Sequence, residues 1–222
     1  MVTRLSRVVP AILTDDPKAL ETMVHQAQSF ATWVQFDIMD GKFVPSLSIT
    51  YKHLAALPIR LGWEAHLMVQ RPEEYIEGFF MAGAQKVVFH YEATPSPEKV
   101  VSLARQINLR VGLALNPETP VPSISHLLSE LDSVLLLSVH PGFYGQSFLP
   151  EVLDKVKELR HLKPNIEIGI DGGIKEGNIT QVAQAGADLI YVGSAIFLDP
   201  RPGDSFKHLQ ALAEEGSRQG MQ

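Results

Sequence analysis

The chain of 222 residues contains no cysteine, which excludes a disulfide framework, a thiolate nucleophile and a thiolate metal site. Any metal must then take its ligands from His, Asp, Glu or amide oxygen. Positive charge is also scarce, with 19 Lys and Arg against 25 Asp and Glu and a formal net charge of −6. Without a basic block there is no footprint for a phosphate backbone, so nucleic acid is not an expected partner. Long apolar runs are missing too: none approaches the ~18 residues of a membrane span, so no membrane association is expected. The opening segment MVTRLSRVVPAILTDD has only the short apolar run Val8 to Leu13, broken by Pro10 and followed by two acids, and lacks a signal-peptide core. The expected location is the cytoplasm. At 45% hydrophobic and 20% charged residues, the chain has enough apolar material for a compact core. Its net charge still leaves room for a small anionic substrate, because backbone amides can bind one locally.

Short apolar runs alternate with longer amphipathic stretches, the pattern of repeated strand-helix units and a parallel sheet. Eight runs fall near residues 7–13, 33–39, 62–68, 86–90, 109–115, 133–139, 166–170 and 188–192. Helices are predicted near 17–29, 50–56, 73–81, 97–107, 123–130, 150–162, 176–184 and 203–216. No linker divides the chain, so residues 1–222 read as one domain, an α/β fold of the (β/α)8 barrel type. Asp16-Pro17 and Ser96-Pro97 look like helix caps followed by proline at the first helical position. MAGAQKVVFH and QAGADLIYVG share an Ala-Gly-Ala helix exit that feeds an apolar strand. The last twenty or so residues read as a final helix with a frayed tail.

Each apolar run ends in a residue that a buried strand does not need: Asp37, His66, His90, Asn116, His140, Asp171 and Gly193-Ser194. In a parallel barrel these converge on the C-terminal face, where such folds place their chemistry. Strand alternation sends Gln35 and Asp37, Glu64, His66 and Met68, and Glu167, Gly169 and Asp171 inward, while Val34, Phe36, Ile38, Trp63, Ala65 and Leu67 face the helices. Asp37 and Asp171, with His66 between them, suit either a divalent cation or proton exchange across a substrate. The alternative is that the carboxylates cap loops or pair with buried lysines. His90 and His140 read as loop or supporting residues. Met39 and Met68 read either as ordinary core or as an apolar lid over a reacting carbon. Glycine-rich turns in HPGFYGQSF, DGGI and VGSAIF can cradle a phosphate with backbone amides.

Those segments carry a resemblance. VQFDIMDGKFVP (34–45), EAHLMVQRP (64–72), LALNPETP (113–120), LLSVHPGFYGQSF (136–148), IDGGI (170–174) and VGSAIF (192–197) resemble ribulose-phosphate 3-epimerases over roughly residues 7–198. The resemblance implies a barrel that interconverts D-ribulose 5-phosphate and D-xylulose 5-phosphate by inverting carbon 3 through a metal-stabilised enediolate. It implies Asp37 and Asp171 as acid/base pair and metal ligands, His66 as a metal ligand and substrate contact, and Gly142, Phe143, Tyr144, Gly145, Gly172, Gly173, Gly193 and Ser194 as holders of the sugar phosphate. A homo-oligomer is also implied.

The chain departs from the family pattern where substrate and metal meet. Gln35 stands where the family has a metal-binding His, and its amide oxygen shifts the expected cofactor, one divalent ion, toward Mg²⁺ or Mn²⁺ over Zn²⁺, Fe²⁺ or Co²⁺. Ala11 replaces a substrate-binding hydroxyl, Leu137 replaces a Met but keeps an apolar wall, and Tyr144 replaces a glycine of the phosphate loop. Two readings therefore stand: an active epimerase of ribulose 5-phosphate or another ketose phosphate, and a noncatalytic or metal-independent phosphosugar binder. An aldolase or decarboxylase on the same barrel would show a Lys beside the strand-two aspartate, whereas Lys42 falls in the following loop.

Overall fold

The computed structural model describes residues 5–142 and 147–220. Eight parallel strands close into a barrel in sequence order, each hydrogen-bonded to its chain neighbours and the last to the first. The strands are β1 (Arg7–Ile12), β2 (Trp33–Met39), β3 (Gly62–Met68), β4 (Lys86–His90), β5 (Arg110–Leu115), β6 (Ser133–Leu137), β7 (Glu167–Asp171) and β8 (Leu189–Val192). The helices are α1 (Pro17–Ala27), α2 (Tyr51–Ala55), α3 (Ile76–Met81), α4 (Pro97–Gln106), α5 (Leu153–Leu162), α6 (Glu176–Gln184), α7 (Ser194–Phe197) and α8 (Pro202–Gly220). No helix among the described residues is long and apolar enough to cross a membrane.

Alternation along the strands produces two separate apolar layers. Val34, Phe36, Ile38, Trp63, Ala65 and Leu67 join the cluster between sheet and helices. Val9, Ala11, Val88, Ala114, Leu135, Leu137, Leu189 and Tyr191 form a smaller cluster inside the barrel. The interior is packed by pairing large with small: a Cβ added at Gly169 would lie 2.6 Å from the Tyr191 ring and 3.0 Å from Leu135. Glycine at that place leaves the room that the tyrosine fills.

Helix punctuation is local. Asp16 caps α1 by accepting from the Lys18 amide at 2.9 Å, with Pro17 at the first position. α4 does begin at Pro97, but the Ser96 side chain makes no capping bond. Gly83 and Gly186, the glycines of the two Ala-Gly-Ala segments, close α3 and α6 with φ of +99° and +95°, a region open to glycine at little cost.

Two expectations need correction. The predicted helix 123–130 is a 3-10 turn over Val121–Ile124 followed by further turns. Val121, Ile124 and Leu127 are buried at a spacing of three, and the amides of Ser123, Ser125, Leu127 and Glu130 all bond three residues back. A three-residue apolar spacing serves a 3-10 turn as well as one face of an α-helix. Up to the last described residue the C-terminal tail is not frayed, since α8 runs to Gly220 and lies on α6. A Cβ at Gly216 would sit 2.4 Å from the Thr180 carbonyl oxygen, so glycine permits the close approach. Ser217 Oγ accepts from the Ser6 amide at 2.9 Å and joins its hydroxyl at 2.8 Å.

The floor of the barrel holds an ion network that the sequence pattern did not reveal. Lys86 Nζ lies 2.6 Å from Glu64 Oε2 and 3.1 Å from Glu167 Oε1. Trp33 Nε1 donates to Glu64 Oε2 at 3.2 Å, and Arg7 and Arg110 flank Glu167 from the rim. Lys86 and Glu64 are 1% and 0% exposed, so each charge depends on its partner. Removing one partner of such a pair costs about 3–5 kcal/mol, because the other is left buried and uncompensated. Urea unfolding should therefore find Lys86→Met destabilised by that amount, with most of it recovered in Glu64→Gln/Lys86→Met.

Candidate active site

Parallel register delivers the polar strand ends to one level. Asp37 pairs with His66 across β2 and β3, and Asp171 pairs with Leu137 and Tyr191 across β6, β7 and β8. His66 Nδ1 lies 2.9 Å from Asp37 Oδ1 and 3.7 Å from Asp171 Oδ2. One ligand atom from each of these three side chains falls within 4.8 Å of the other two. The alternative reading, with the carboxylates neutralised by buried lysine, does not apply, because Lys86 serves Glu64 and Glu167 below.

Burial dominates the electrostatics. It pushes the Asp37 carboxyl up to about 7, opposed by a hydrogen bond from Gln35. Asp171 also rises to about 7, through burial first and the Asp37 charge second. Burial lowers His66, opposed by the Asp171 and Glu64 carboxylates. In the neutral range the pair therefore sits near the point where one carboxyl holds a proton and the other is ionised, as coupled carboxylates do.

Gln35 sits within this group but presents its nitrogen. Its Nε2 donates to Asp37 Oδ1 at 3.1 Å and to Asp171 Oδ2 at 2.7 Å. Its Oε1 is buried and without a hydrogen-bond partner among the described residues, a costly arrangement for an amide oxygen. Half a turn about the last side-chain bond would exchange the two atoms. Two carboxylates, one imidazole and an amide oxygen in want of a partner form a donor set that fits a divalent cation with mixed O and N ligands.

Above these groups opens a cavity of about 480 Å³. Ala11 and Leu137 line its wall, and Met39 and Met68 lie beside it in a small apolar cluster with Val44, Leu13 and Phe43. Gly142, Gly172, Gly173, Gly193 and Ser194 line it. Gly142 and Gly172 have φ of +110° and +114°, and a Cβ at Gly172 would strike Val139 at 2.5 Å. Ser194 opens α7. Phe143, Tyr144 and Gly145 lie outside the described residues. His140 stands clear of the cavity lining and pairs with Glu118 at 3.0 Å, both well exposed.

Sequence reasoning missed several supporting residues. Ser138 Oγ donates to the carbonyls of Asp171 at 2.9 Å and Gly172 at 2.7 Å, which ties the end of β6 to the end of β7 that carries Asp171. Lys175 and Tyr191 line the cavity as well. An isolated serine or lysine next to a glycine-rich turn carries no periodic signal that would mark it. His90 stacks on His66, with ring centroids 5.1 Å apart.

Residues 7–197 match the model of the ribulose-phosphate 3 epimerase family. The chain belongs to that family of carbohydrate epimerases. Relatives named ribulose-phosphate 3-epimerase include one from Synechocystis sp., 39% identical over 87% of this chain and 88% of the relative. Another, from Schizosaccharomyces pombe, is 36% identical over 92% of both. Among solved structures, KGPDC from Streptococcus mutans superimposes with a TM-score of 0.71 at 13% identity, covering 96% of this chain and 99% of that one. 3-Hexulose-6-phosphate synthase from Salmonella typhimurium gives 0.72 at 15% identity, covering 95% and 99%. At those identities the likeness is one of fold. In this chain Asp37, His66 and Asp171 cluster together, and the Gln35 amide lies between the two carboxylates.

The raised carboxyls have a consequence for stability. Folded values above the unfolded 3.8 mean that the folded state holds more protons, so stability falls as pH rises through that interval toward about 7. The melting temperature of metal-free protein should drop between about pH 5 and about pH 8. The drop should shrink in Asp171→Asn and when a divalent cation is added, as measured by calorimetry.

Proposed function

We propose that the chain inverts carbon 3 of D-ribulose 5-phosphate to give D-xylulose 5-phosphate, and the reverse. The observation that carries this reading is the pair of carboxyls, Asp37 buried and Asp171 partly buried, both raised to about 7 beside one imidazole. Inversion next to a carbonyl needs a base on one face of the carbon and an acid on the other, and a pair sharing about one proton at neutral pH is prepared for both. The ionised carboxylate takes the proton from carbon 3, and the C–H electron pair moves into an enediolate across carbons 2 and 3. The protonated carboxyl then returns a proton to the opposite face. The two residues exchange roles for the reverse reaction.

Asp37, His66, Asp171 and, after its amide turns, Gln35 would hold one divalent cation. Such a cation, when bound, supplies positive charge against the enediolate oxygens. Three oxygen donors with one imidazole favour Mg²⁺ or Mn²⁺, although Zn²⁺, Fe²⁺ and Co²⁺ accept the same set. The glycine turns around Gly142, Gly172, Gly173 and Gly193, with Ser194, would hold the phosphate. Met39, Met68 and Leu137 would keep water from the reacting carbon. Phe143, Tyr144 and Gly145 belong to the same reading as phosphate-loop residues. Self-association into a homo-oligomer and a cytoplasmic location belong to the same reading.

One observation favours the noncatalytic alternative: Gln35 Nε2 already bridges both carboxylates and so competes for the cation's place. Turnover of ribulose 5-phosphate by metal-stripped protein, with Mg²⁺, Mn²⁺, Fe²⁺, Co²⁺ and Zn²⁺ added back singly, separates the two. The epimerase reading expects restored turnover, with kcat reduced on the order of 10²–10⁴-fold in Asp37→Asn and Asp171→Asn. It also expects Gln35→His to move the preferred ion toward Zn²⁺ or Co²⁺. Sugar phosphate binding without turnover in any metal, joined to activity that first appears in Gln35→His, would establish the binding protein instead.

A further inference from the structure

The glycine pair that follows β7 turns in the left-handed region, with φ of +114° at Gly172 and +66° at Gly173, and both of its carbonyls are engaged. Ser138 Oγ donates to the Gly172 carbonyl at 2.7 Å. Asn178 Nδ2 donates to the Gly173 carbonyl at 2.9 Å. Ser138 and Asn178 stand outside the cavity lining, whereas Gly172, Gly173 and Ile174 belong to it. Both carbonyls therefore turn away from the cavity.

A trans peptide carries its N–H opposite its carbonyl. The Gly172 carbonyl shares a peptide plane with the Gly173 N–H, and the Gly173 carbonyl shares one with the Ile174 N–H. With the two carbonyls drawn outward, the two N–H groups face the cavity. Neither of them donates a hydrogen bond among the described residues. The open row stops at Lys175, whose N–H is taken by Asn178 Oδ1 at 2.8 Å. Two adjacent free amides in a turn of this kind form a concave donor pair suited to an oxyanion.

Asn178 does more than begin a helix. It is the third residue of α6, and its bond from the Lys175 amide is the reciprocal contact that helix entries use. The second bond, from Nδ2, reaches a carbonyl outside α6 that no turn of the helix uses. Only a side chain with both a donor and an acceptor can serve these two backbone groups, because an N–H only donates and a carbonyl only accepts.

We infer that Asn178 is a positioning residue: together with Ser138 it fixes two successive peptide planes, so that the Gly173 and Ile174 N–H groups are aimed into the cavity before a phosphate arrives. This rests on the proposal that the glycine turns hold the phosphate of a ketose phosphate. The binding energy of the two amides is then not spent on turning the backbone.

The test is amide NMR on ¹⁵N-labelled, metal-free protein titrated with D-ribulose 5-phosphate and, as control, with D-ribulose. The phosphorylated sugar should move the Gly173 and Ile174 amide protons strongly downfield and the Lys175 amide little. D-Ribulose should move none of them. Asn178→Ala should abolish the Ile174 shift and weaken binding of D-ribulose 5-phosphate about 10-fold, the scale of one hydrogen bond to a charged group. Because alanine also removes the contact at the helix entry, Asn178→Asp is measured beside it. The carboxylate still accepts from the Lys175 amide, at a helix start where negative charge is favourable, but it cannot donate to Gly173. That variant should melt with the wild type and still lose the Ile174 shift. An unchanged Ile174 shift in Asn178→Asp, or unchanged affinity in Asn178→Ala, overturns the inference and leaves the proposed function intact. Wild-type binding that moves neither Gly173 nor Ile174 does the same. Absence of turnover beside intact binding sinks the proposed function alone, and a wild type that binds no D-ribulose 5-phosphate overturns both.

Discussion

A carboxylate sealed inside a barrel has lost its water, and the several kcal/mol that this costs must be offset by neighbours, by a proton or by a metal. This chain places four acidic groups along the barrel axis and answers the constraint in two ways. At the floor, Glu64 and Glu167 share the ammonium of Lys86, an answer that is fixed once the chain folds. At the mouth, Asp37 and Asp171 share only the amide of Gln35 and the neutral ring of His66, and burial drives both toward protonation. The same cost that the floor settles permanently is left adjustable where substrate arrives, and that is what makes carboxyl groups useful for moving protons.

Gln35 illustrates how one side chain can set the character of such a site. An imidazole at that place would compete for a cation as a nitrogen ligand. An amide offers either a donor face or an acceptor face, and the structure has the donor face inward. The orphaned Oε1 behind it shows that this orientation is costly on one side, so the balance between the two faces is set by what else enters the space between the carboxylates.

Much of this was legible in the sequence because period-two alternation is strict in β2, β3 and β7. The inward set of Gln35, Asp37, Glu64, His66 and Asp171 follows from it directly, as do the eight strands and their order. Legibility ended where structure depends on spacing of three or on single residues. Val121, Ile124 and Leu127 could not tell a 3-10 turn from a helix, and Gly216 gave no sign of the close contact that makes α8 continuous to Gly220. The ion network was hidden for another reason: Glu64 and Lys86 are 22 residues apart in sequence, and only the register of β3 on β4, which pairs them directly, brings them together. His90 was visible as a strand-end histidine, but its stacking on His66 appears only when β4 is laid beside β3.

Closure between β1 and β8, reinforced by the bonds from Ser6 to Ser217, also governs the order in which the molecule can be completed. During synthesis β1 emerges first and its partner β8 almost last, so one edge of β1 waits unpaired while most of the chain is made. Until then the barrel cannot close, so Lys86, Glu64, Asp37 and Asp171 cannot be sealed from water. The transfer of these charges out of water is therefore concentrated in the final closing step, and the nascent chain carries an exposed apolar edge, Val8 and Val9, until the moment that step occurs.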